Sequence, residues 1–516
     1  MIFFKKYVIL LTNLYLRNSE KLLKPIKVLY IASEVVPFAK TGGVADVAGA
    51  FPVAMKELGQ EVRVIMPKYK IINERKYILR EVIRLKDIEI PLGKEPKKIN
   101  VKSAFIPDSK VQIYFIDYKP YFFRDGLYGD AKSGKEYKDN ESRFILFCKG
   151  VLETLKLLFW QPDIIHCNDW QTALTPLFLK TIYKNDPFFK KTSSILTIHN
   201  PISQGVFKSD VIEQFGLPED FKETKELITD DGKVNFLKIG IRYADIVNTV
   251  SEQFAKEIQS SSEYGFGLEK VLKDRDNQII GILNGVDYNA WSPEADPIIT
   301  TNYSFKNLAL KEENKKALLK KVGLPYNHDV PVIGFIARLT AQKGIDLICK
   351  AIPELAKSGA QYIILGTGEK RYSTILCQAM KNYPDIFSIH LTFNVVLSHL
   401  IEAGADIFLA PSQVEPCGMN QLYSLKYGTV PIVRSTGGLA DTIQDFDPDS
   451  GTGNGFTFKK YDVTDLSRAI KQAVSIYKDS ALWKIIMRNG MKENHSWLIA
   501  GKKYLKLYSS ALKNSG

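Results

Sequence analysis

Apolar runs of strand length alternate with stretches of helical period along the whole chain. In the first half the short runs are Lys27–Ala32 (KVLYIA), Val62–Met66, Val111–Ile116, Asp163–His166, Ser194–Ile198 and Ile246–Val250. In the second half they are Val332–Ala337, Tyr362–Leu365, Phe387–Leu391, Ile407–Ala410 and Thr429–Val433. Such alternation predicts parallel sheets joined by crossover helices, an α/β fold. The pattern breaks at Asn289–Thr301 (NAWSPEADPIITT), which carries two prolines, and resumes with the charged helix Lys311–Lys321 and a fresh strand at Val332. The expected organisation is an N-terminal extension (1–24), a first α/β domain (25–290), a second (291–496) and a last helix (497–516) that packs back on the first. That helix, Trp497–Leu512, repeats Leu498, Tyr504, Leu505 and Tyr508 on one face. Asn289–Thr301 and the return crossing near Trp497 are the expected hinges.

Open α/β sheets bind ligands at the carboxyl ends of their strands. Lys40, His166, His199, Arg338, Gly366, Pro411 and Thr436 all fall just past a predicted strand. The segment Thr-Gly-Gly-Val/Leu-Ala-Asp occurs twice, at Thr41–Asp46 and Thr436–Asp441, each time between a strand-like run and a helix-like one. A Gly-Gly turn lets backbone amides approach a phosphate or sugar, and the helix start behind it favours negative charge. Two such turns predict two facing lobes that share one anionic ligand.

Composition narrows the function. Lys and Arg number 70 against 57 Asp and Glu, a net charge of +13. The basic residues are spread along the chain without interleaved aromatics, which argues for an anionic small substrate and against nucleic acid. Cys148, Cys167, Cys349, Cys377 and Cys417 are scattered and form no C-x-x-C, which points to a reducing compartment. None of the six histidines has metal-ligand spacing. No metal and no other cofactor is expected. Residues 1–24 hold an apolar stretch, Tyr7–Leu16, too short to span a bilayer, which takes about 20 apolar residues. It reads as an extension without function, or as a targeting segment.

Four stretches carry a resemblance: KTGGVADV (Lys40–Val47), HCNDWQTAL (His166–Leu174), IARLTAQKGID (Ile336–Asp346) and ADIFLAPSQVEPCGMNQLYSLKYG (Ala405–Gly428). With DYKPYFFRDGLYG, YKDNESRF, TIHN, GILNGVDYNAWSP, STGGLADT and HSWLIAGKKYLKLY, the chain resembles the bacterial and plant glycogen/starch synthase family from Ile26 to Tyr508. The resemblance implies two facing Rossmann-like domains, the GT-B architecture, with the active site in the cleft between them. It implies transfer of glucose from ADP-glucose to the non-reducing end of an α-1,4-glucan, with retention. It implies a cytoplasmic location, or a plastid stroma if the extension is a transit peptide. The number of subunits is not legible.

The same resemblance implies roles. Arg338 and Lys343 neutralise the departing diphosphate, electrostatic work that basic side chains can do in place of a metal. Glu415 contacts the transferred glucose, the amides of Gly418 and Met419 face the phosphates, and His166 hydrogen-bonds the donor sugar. Lys40, Gly42 and Gly43 approach the diphosphate and the acceptor end. Asp139, Asn140 and Arg143 form the acceptor-side motif. Substrate contacts are also implied for Asp46, His199, Asn200, Asn284, Cys417, Tyr423, Thr436, Gly437 and Gly438. The chain departs from the family pattern at Val44 and Met419, where leucine is usual. The larger departure is His199-Asn200-Pro201-Ile202-Ser203-Gln204-Gly205, where the family reads H-N-L-x-Y-Q-G. Pro201 restricts Asn200 and removes an amide donor, and Ser203 replaces an aromatic surface. Two alternatives follow: a transferase using UDP-glucose, or a glucan-binding paralogue with low turnover.

Overall fold

The computed structural model of the chain describes residues 24–93, 95–275 and 279–514; the predicted extension at 1–24 lies almost entirely outside them. Eighteen strands are formed by these residues. They are β1 (Lys27–Ile31), β2 (Glu61–Pro67), β3 (Arg80–Glu81), β4 (Ile88–Ile90), β5 (Lys97–Phe105), β6 (Gln112–Asp117), β7 (Ile164–Asn168), β8 (Ser193–Ile198), β9 (Val206–Lys208), β10 (Lys233–Asn235), β11 (Ile246–Thr249) and β12 (Ile280–Gly281), followed by β13 (Val332–Ile336), β14 (Gln361–Leu365), β15 (Phe387–His390), β16 (Ile407–Ala410), β17 (Val430–Arg434) and β18 (Phe456–Phe458).

The strands predicted from apolar runs are present within one or two residues. β3, β4, β5, β9, β10, β12 and β18 were not foreseen. β5 reads KKINVKSAF, with lysines on its outer face, because it lies antiparallel near the sheet edge and is buried on one side only.

The first large sheet runs β12-β11-β8-β7-β1-β2-β6-β5-β3, with β4 beside β5. The second runs β15-β14-β13-β16-β17-β18, and all of its pairs are parallel. In the second, the chain lays down three strands in one direction, returns to the middle and lays down three in the other; in the first, β1 to β6 fill one side before the chain returns to the middle and adds β7, β8, β11 and β12 on the other. The strand order therefore reverses between β1 and β7 and between β13 and β16. Loops leaving those pairs splay apart and open a crevice, where open α/β sheets bind ligands. The sheets have separate cores, one around β1, β7 and β8, the other around β13, β14 and β16.

The helices that matter to the site are α1 (Gly43–Glu57), α2 (Asn140–Leu158), α3 (Glu252–Ser260), α4 (Ile345–Leu355), α5 (Val395–Gly404), α6 (Asn420–Tyr427), α7 (Gly437–Thr442) and α8 (Trp497–Asn514). Helix α8 buries Trp497, Tyr504, Leu507 and Tyr508 against the first sheet and α1. Its apolar face is rotated from the predicted one, since Leu498 points outward, 43% exposed.

The chain passes between the two sheets twice, and the crossings lie side by side. The Val286 amide donates to the His495 carbonyl (2.7 Å), and the His495 amide donates to the Tyr288 hydroxyl (2.9 Å). Gly285 has no room for a side chain, because a Cβ would sit 2.4 Å from the Trp497 Cα. Past Tyr288 the first crossing is fastened to the second sheet: the buried Asp296 carboxylate accepts from His399 Nδ1 (2.7 Å) and the Tyr427 hydroxyl (2.6 Å). The paired crossing between the sheets is thus Asn284–Tyr288 beside His495–Trp497. The Asn289–Thr301 segment, predicted as a hinge, is bonded through Asp296 to the helices that flank the second sheet. Among the described residues no helix is long and apolar enough to cross a membrane.

Candidate active site

The loop after β13 carries Arg338 and Lys343, and the loop after β16 carries Glu415. Gly344 brings the loops together: it takes a left-handed conformation (φ 79°), and a Cβ there would meet the Pro411 carbonyl oxygen at 2.2 Å. In consequence Lys343 Nζ lies 2.5 Å from Glu415 Oε2, which also accepts from Ser412 Oγ (3.0 Å). The Arg338 side chain is exposed and has no carboxylate within 4.0 Å among the described residues. Glu415 ends the turn that starts α6. Gly418 there has φ 71°, and the Gly418 and Met419 amides donate to no described group. The site therefore offers one unpaired guanidinium, one ammonium shared with a carboxylate, and the positive end of an eight-residue helix, a set suited to phosphate.

The two Thr-Gly-Gly turns do different work, which corrects the expectation that both face the ligand. A Cβ on Gly437 or Gly438 would lie 2.0 Å from the carbonyl oxygen of Glu415 or Cys417. The Gly437 amide and Thr436 Oγ1 donate to the Glu257 carboxylate on α3 (3.0 and 3.1 Å). In return Asp441 accepts from Ser251 Oγ (2.7 Å) and the Gln253 amide (3.1 Å) at the start of α3. The second turn thus backs the Glu415–Cys417 segment and joins the lobes. Its amides, expected to stay free for phosphate, are already occupied, that of Gly437 by the Glu257 carboxylate and that of Gly438 by the Glu415 carbonyl (3.1 Å).

At the first turn, a Cβ on Gly42 or Gly43 would meet nothing within 4 Å. That turn borders open space. The buried Glu34 carboxylate accepts from the Thr41 amide, the Gly42 amide (3.1 Å) and the Tyr128 hydroxyl (2.9 Å). Lys40 pairs with Asp46 at 2.7 Å. Beside them opens a pocket of about 640 Å³, lined by Lys40, Lys70, Arg124, Gly126, Tyr128 and Asp130 among others.

Asn140 and Arg143 do not line it. Arg143 is fully buried and spends its donors on the Tyr121 carbonyl (2.9 Å), the Leu127 carbonyl (2.8 Å) and Asn140 Oδ1 (2.6 Å). Asn140 Nδ2 donates to the Tyr128 carbonyl (2.9 Å). Both hold the pocket loop from behind, a correction to their expected substrate contact. Asp139 stays near the surface, where Arg124 grips both its oxygens (2.6 and 2.7 Å).

The histidines also change places. His166 was expected past the end of its strand, but β7 runs on to Asn168 and leaves it in mid-strand, 1% exposed. Thr197 Oγ1 donates to Asn248 Oδ1 (2.7 Å), so it accepts from His166 Nε2–H (2.6 Å), and Tyr508 donates to Nδ1 (2.7 Å). His166 therefore has no nitrogen left for a sugar.

His199 follows the end of β8. Asn168 Nδ2 donates to the Ile31 carbonyl (2.9 Å), which makes its Oδ1 the acceptor for the Tyr30 hydroxyl and for His199 Nε2–H (both 2.9 Å). Nδ1 of His199 keeps a lone pair with no partner among the described residues. Burial pushes His199 down to about 4 and His166 to about 3, so both are neutral.

Asp169, missed although it lies in the quoted HCNDWQ, accepts the His199 amide at 2.7 Å; burial pushes it up to about 7 despite that bond. An acidic residue at the carboxyl end of a strand beside the switch point was the available signal. Asn200 turns its Oδ1 to the Ile202 amide (3.1 Å). Ser203 accepts from the Trp170 indole N–H (3.0 Å), so the departure from the family pattern keeps an internal hydrogen bond but offers no ring face.

Between the lobes, Asn284 is 6% exposed and its Oδ1 has no partner among the described residues, an unpaired buried acceptor of the kind a ligand completes. Burial raises the Cys417 thiol to about 12, which keeps it unreactive. Tyr423 is buried against Trp291. Among the described residues no three His, Cys, Asp or Glu side chains gather as metal ligands.

His166 makes a pH prediction. A histidine near 3 when folded and near 6.5 when unfolded stabilises the fold above about 6.5 and loses that contribution as the pH falls. From pH 7 to pH 5 its share is about 2 kcal/mol. Denaturant titrations at both pH values should show a smaller acid loss in H166N than in the wild type; equal losses would mean that His166 is not held neutral.

The chain matches the family model described as the starch synthase catalytic domain over residues 27–274, and that of glycosyl transferases group 1 over 316–494. It is 44% identical to the glycogen synthase of Koribacter versatilis over 485 residues, 94% of this chain and 98% of that protein. It is 41% identical to the glycogen synthase of Thermotoga maritima, covering 95% of this chain and all of the other. The catalytic domain of Arabidopsis thaliana starch synthase IV, solved bound to ADP and acarbose, superposes with a TM-score of 0.85 at 31% identity, over 95% of this chain and all of the other. The Thermosynechococcus elongatus sucrose-phosphate synthase, at 14% identity and a TM-score of 0.57, shares the fold. That fold is GT-B.

Proposed function

The chain belongs to the glycogen and starch synthase family of glycosyltransferases, and from that premise we propose that it transfers glucose from ADP-glucose to the non-reducing end of an α-1,4-glucan with retention. The observation that carries this reading is the cluster of Arg338, Lys343, Glu415 and the unpaired amides of Gly418 and Met419 at the switch point of the second sheet. Breaking the glucose–diphosphate bond puts negative charge on the leaving phosphate and positive charge on the sugar. Arg338, Lys343 and the start of α6 stabilise the first. Glu415, anchored through Oε2, faces the second. On the other lobe His199 Nδ1 and Asn284 Oδ1 accept from sugar hydroxyls. Lys40 and the pocket beside it, with Arg124 and Asp139 at its rim, receive the acceptor end. Closing the cleft about the paired crossings excludes water and suppresses hydrolysis.

The ADP in the starch synthase IV structure supports ADP-glucose as donor over UDP-glucose. The free cysteines Cys148, Cys167, Cys349, Cys377 and Cys417 fit a reducing, cytoplasmic setting.

Incorporation of labelled glucose into glycogen, from ADP-glucose and UDP-glucose in parallel, tests the proposal. We expect ADP-glucose to be favoured at least tenfold in kcat/KM. Transfer from neither donor would sink the reading, and a preference for UDP-glucose would replace the donor.

A further inference from the structure

A stack of three rings stands behind the start of α6. Trp291 lies flat between His399, with centroids 3.9 Å apart and planes at 10°, and Tyr423, at 4.1 Å and 1°. Aromatic neighbours elsewhere in the protein mostly meet tilted or edge-on, the arrangement ring quadrupoles prefer with offset stacking. At the far end His399 Nδ1 donates to the Asp296 carboxylate (2.7 Å), which the Tyr427 hydroxyl also holds (2.6 Å). Asp296 sits five residues after Trp291 in the same crossing segment, so that segment grips α5 and α6 at one end and presents an indole face at the other. Tyr423 is one helical turn into α6, and the unpaired Gly418 and Met419 amides lie just ahead of that helix. Trp291 itself is half-buried and packs with Val286, Leu422 and Met419 in a small cluster that joins the crossing to α6 and α7.

We propose that Trp291 is a positioning residue for glucosyl transfer: clamped by the Asp296–His399 pair, it fixes the Tyr423 ring and with it the sugar end of the site at the mouth of α6. The crossing chain thereby sets the subsite from behind, without touching substrate itself. This rests on the transferase reading above. A merely structural role would lower stability and nucleotide binding together. A positioning role separates them, because in this proposal the phosphates are held by Arg338, Lys343 and the amides ahead of α6, and the Tyr423 ring borders the sugar.

The test compares W291F, W291L and W291A with Y423A and the double variant W291A/Y423A, measuring kcat, KM for ADP-glucose and, by calorimetry, the Kd of free ADP. Phenylalanine keeps a flat face; leucine fills space without one. We expect W291L and W291A to lose tenfold or more in kcat, W291F to stay within threefold of wild type, and ADP binding to change less than threefold throughout. The double variant should be no slower than the slower single one. If W291A does not fold, the contrast of phenylalanine with leucine decides. An active wild type in which W291L matches W291F, in which the losses of W291A and Y423A multiply, or in which ADP binding falls in step with kcat, overturns this inference alone. A wild type that transfers no glucose overturns the transferase reading, and this inference with it.

Discussion

Alanine at Lys343 or at Arg338 should each lower kcat by about 100-fold or more, the scale of one lost transition-state charge donor, about 2.7 kcal/mol. The two variants should differ in character. Arg338 has no carboxylate partner among the described residues, so R338A removes only what the guanidinium gives to the ligand. Lys343 is held 2.5 Å from Glu415, so K343A also strands a carboxylate whose side chain is only 11% exposed. Its melting temperature should drop as well, and that of R338A should not. Wild-type turnover should stay within about twofold in EDTA, because side chains and amides carry the phosphate charge in this reading. Steady-state kinetics of both variants, with and without chelator, check this. Full activity in either variant, or loss of wild-type activity in EDTA, would sink the mechanism.

Glutamine at Glu415 should lower kcat by about 100- to 1,000-fold, with ADP affinity changed only a few-fold. The amide keeps the size of the side chain and one oxygen for Ser412, but removes the negative charge that faces the sugar. Since Lys343 and Glu415 share one ion pair, the loss in K343A/E415Q should be much smaller than the product of the single losses. Stopped-time assays with calorimetry on the same preparations decide it. Near-wild-type turnover in E415Q would confine Glu415 to orienting Lys343.

Much of the architecture was legible because burial leaves a periodic trace. Strands such as KVLYI and VIGFI are covered on both faces, so they read as continuous apolar runs. Arg338, Lys343 and Glu415 were legible too, since each stands in a short motif just past such a run. β5 was not, because a strand buried on one face, with lysines on the other, has no continuous apolar signal.

What the sequence by itself determined was the alternation, the two-lobed plan and the residue types at the strand ends. Only the tertiary structure decided which of those residues are free to act. Two identical-looking Thr-Gly-Gly turns are each held by a buried carboxylate, Glu34 or Glu257, and part company because the Glu415–Cys417 backbone packs against the second while open space borders the first. His166 and His199 exchange standing because two further strand residues and Tyr508, 342 positions away, satisfy the first, while Asn168 leaves the second one lone pair. Arg143 turns inward to backbone carbonyls, and Trp291 becomes a wedge between rings from two helices. Periodicity and motifs record what each residue needs locally. Whether that need is met by solvent, by substrate or by a partner hundreds of residues away is settled only when the chain closes on itself.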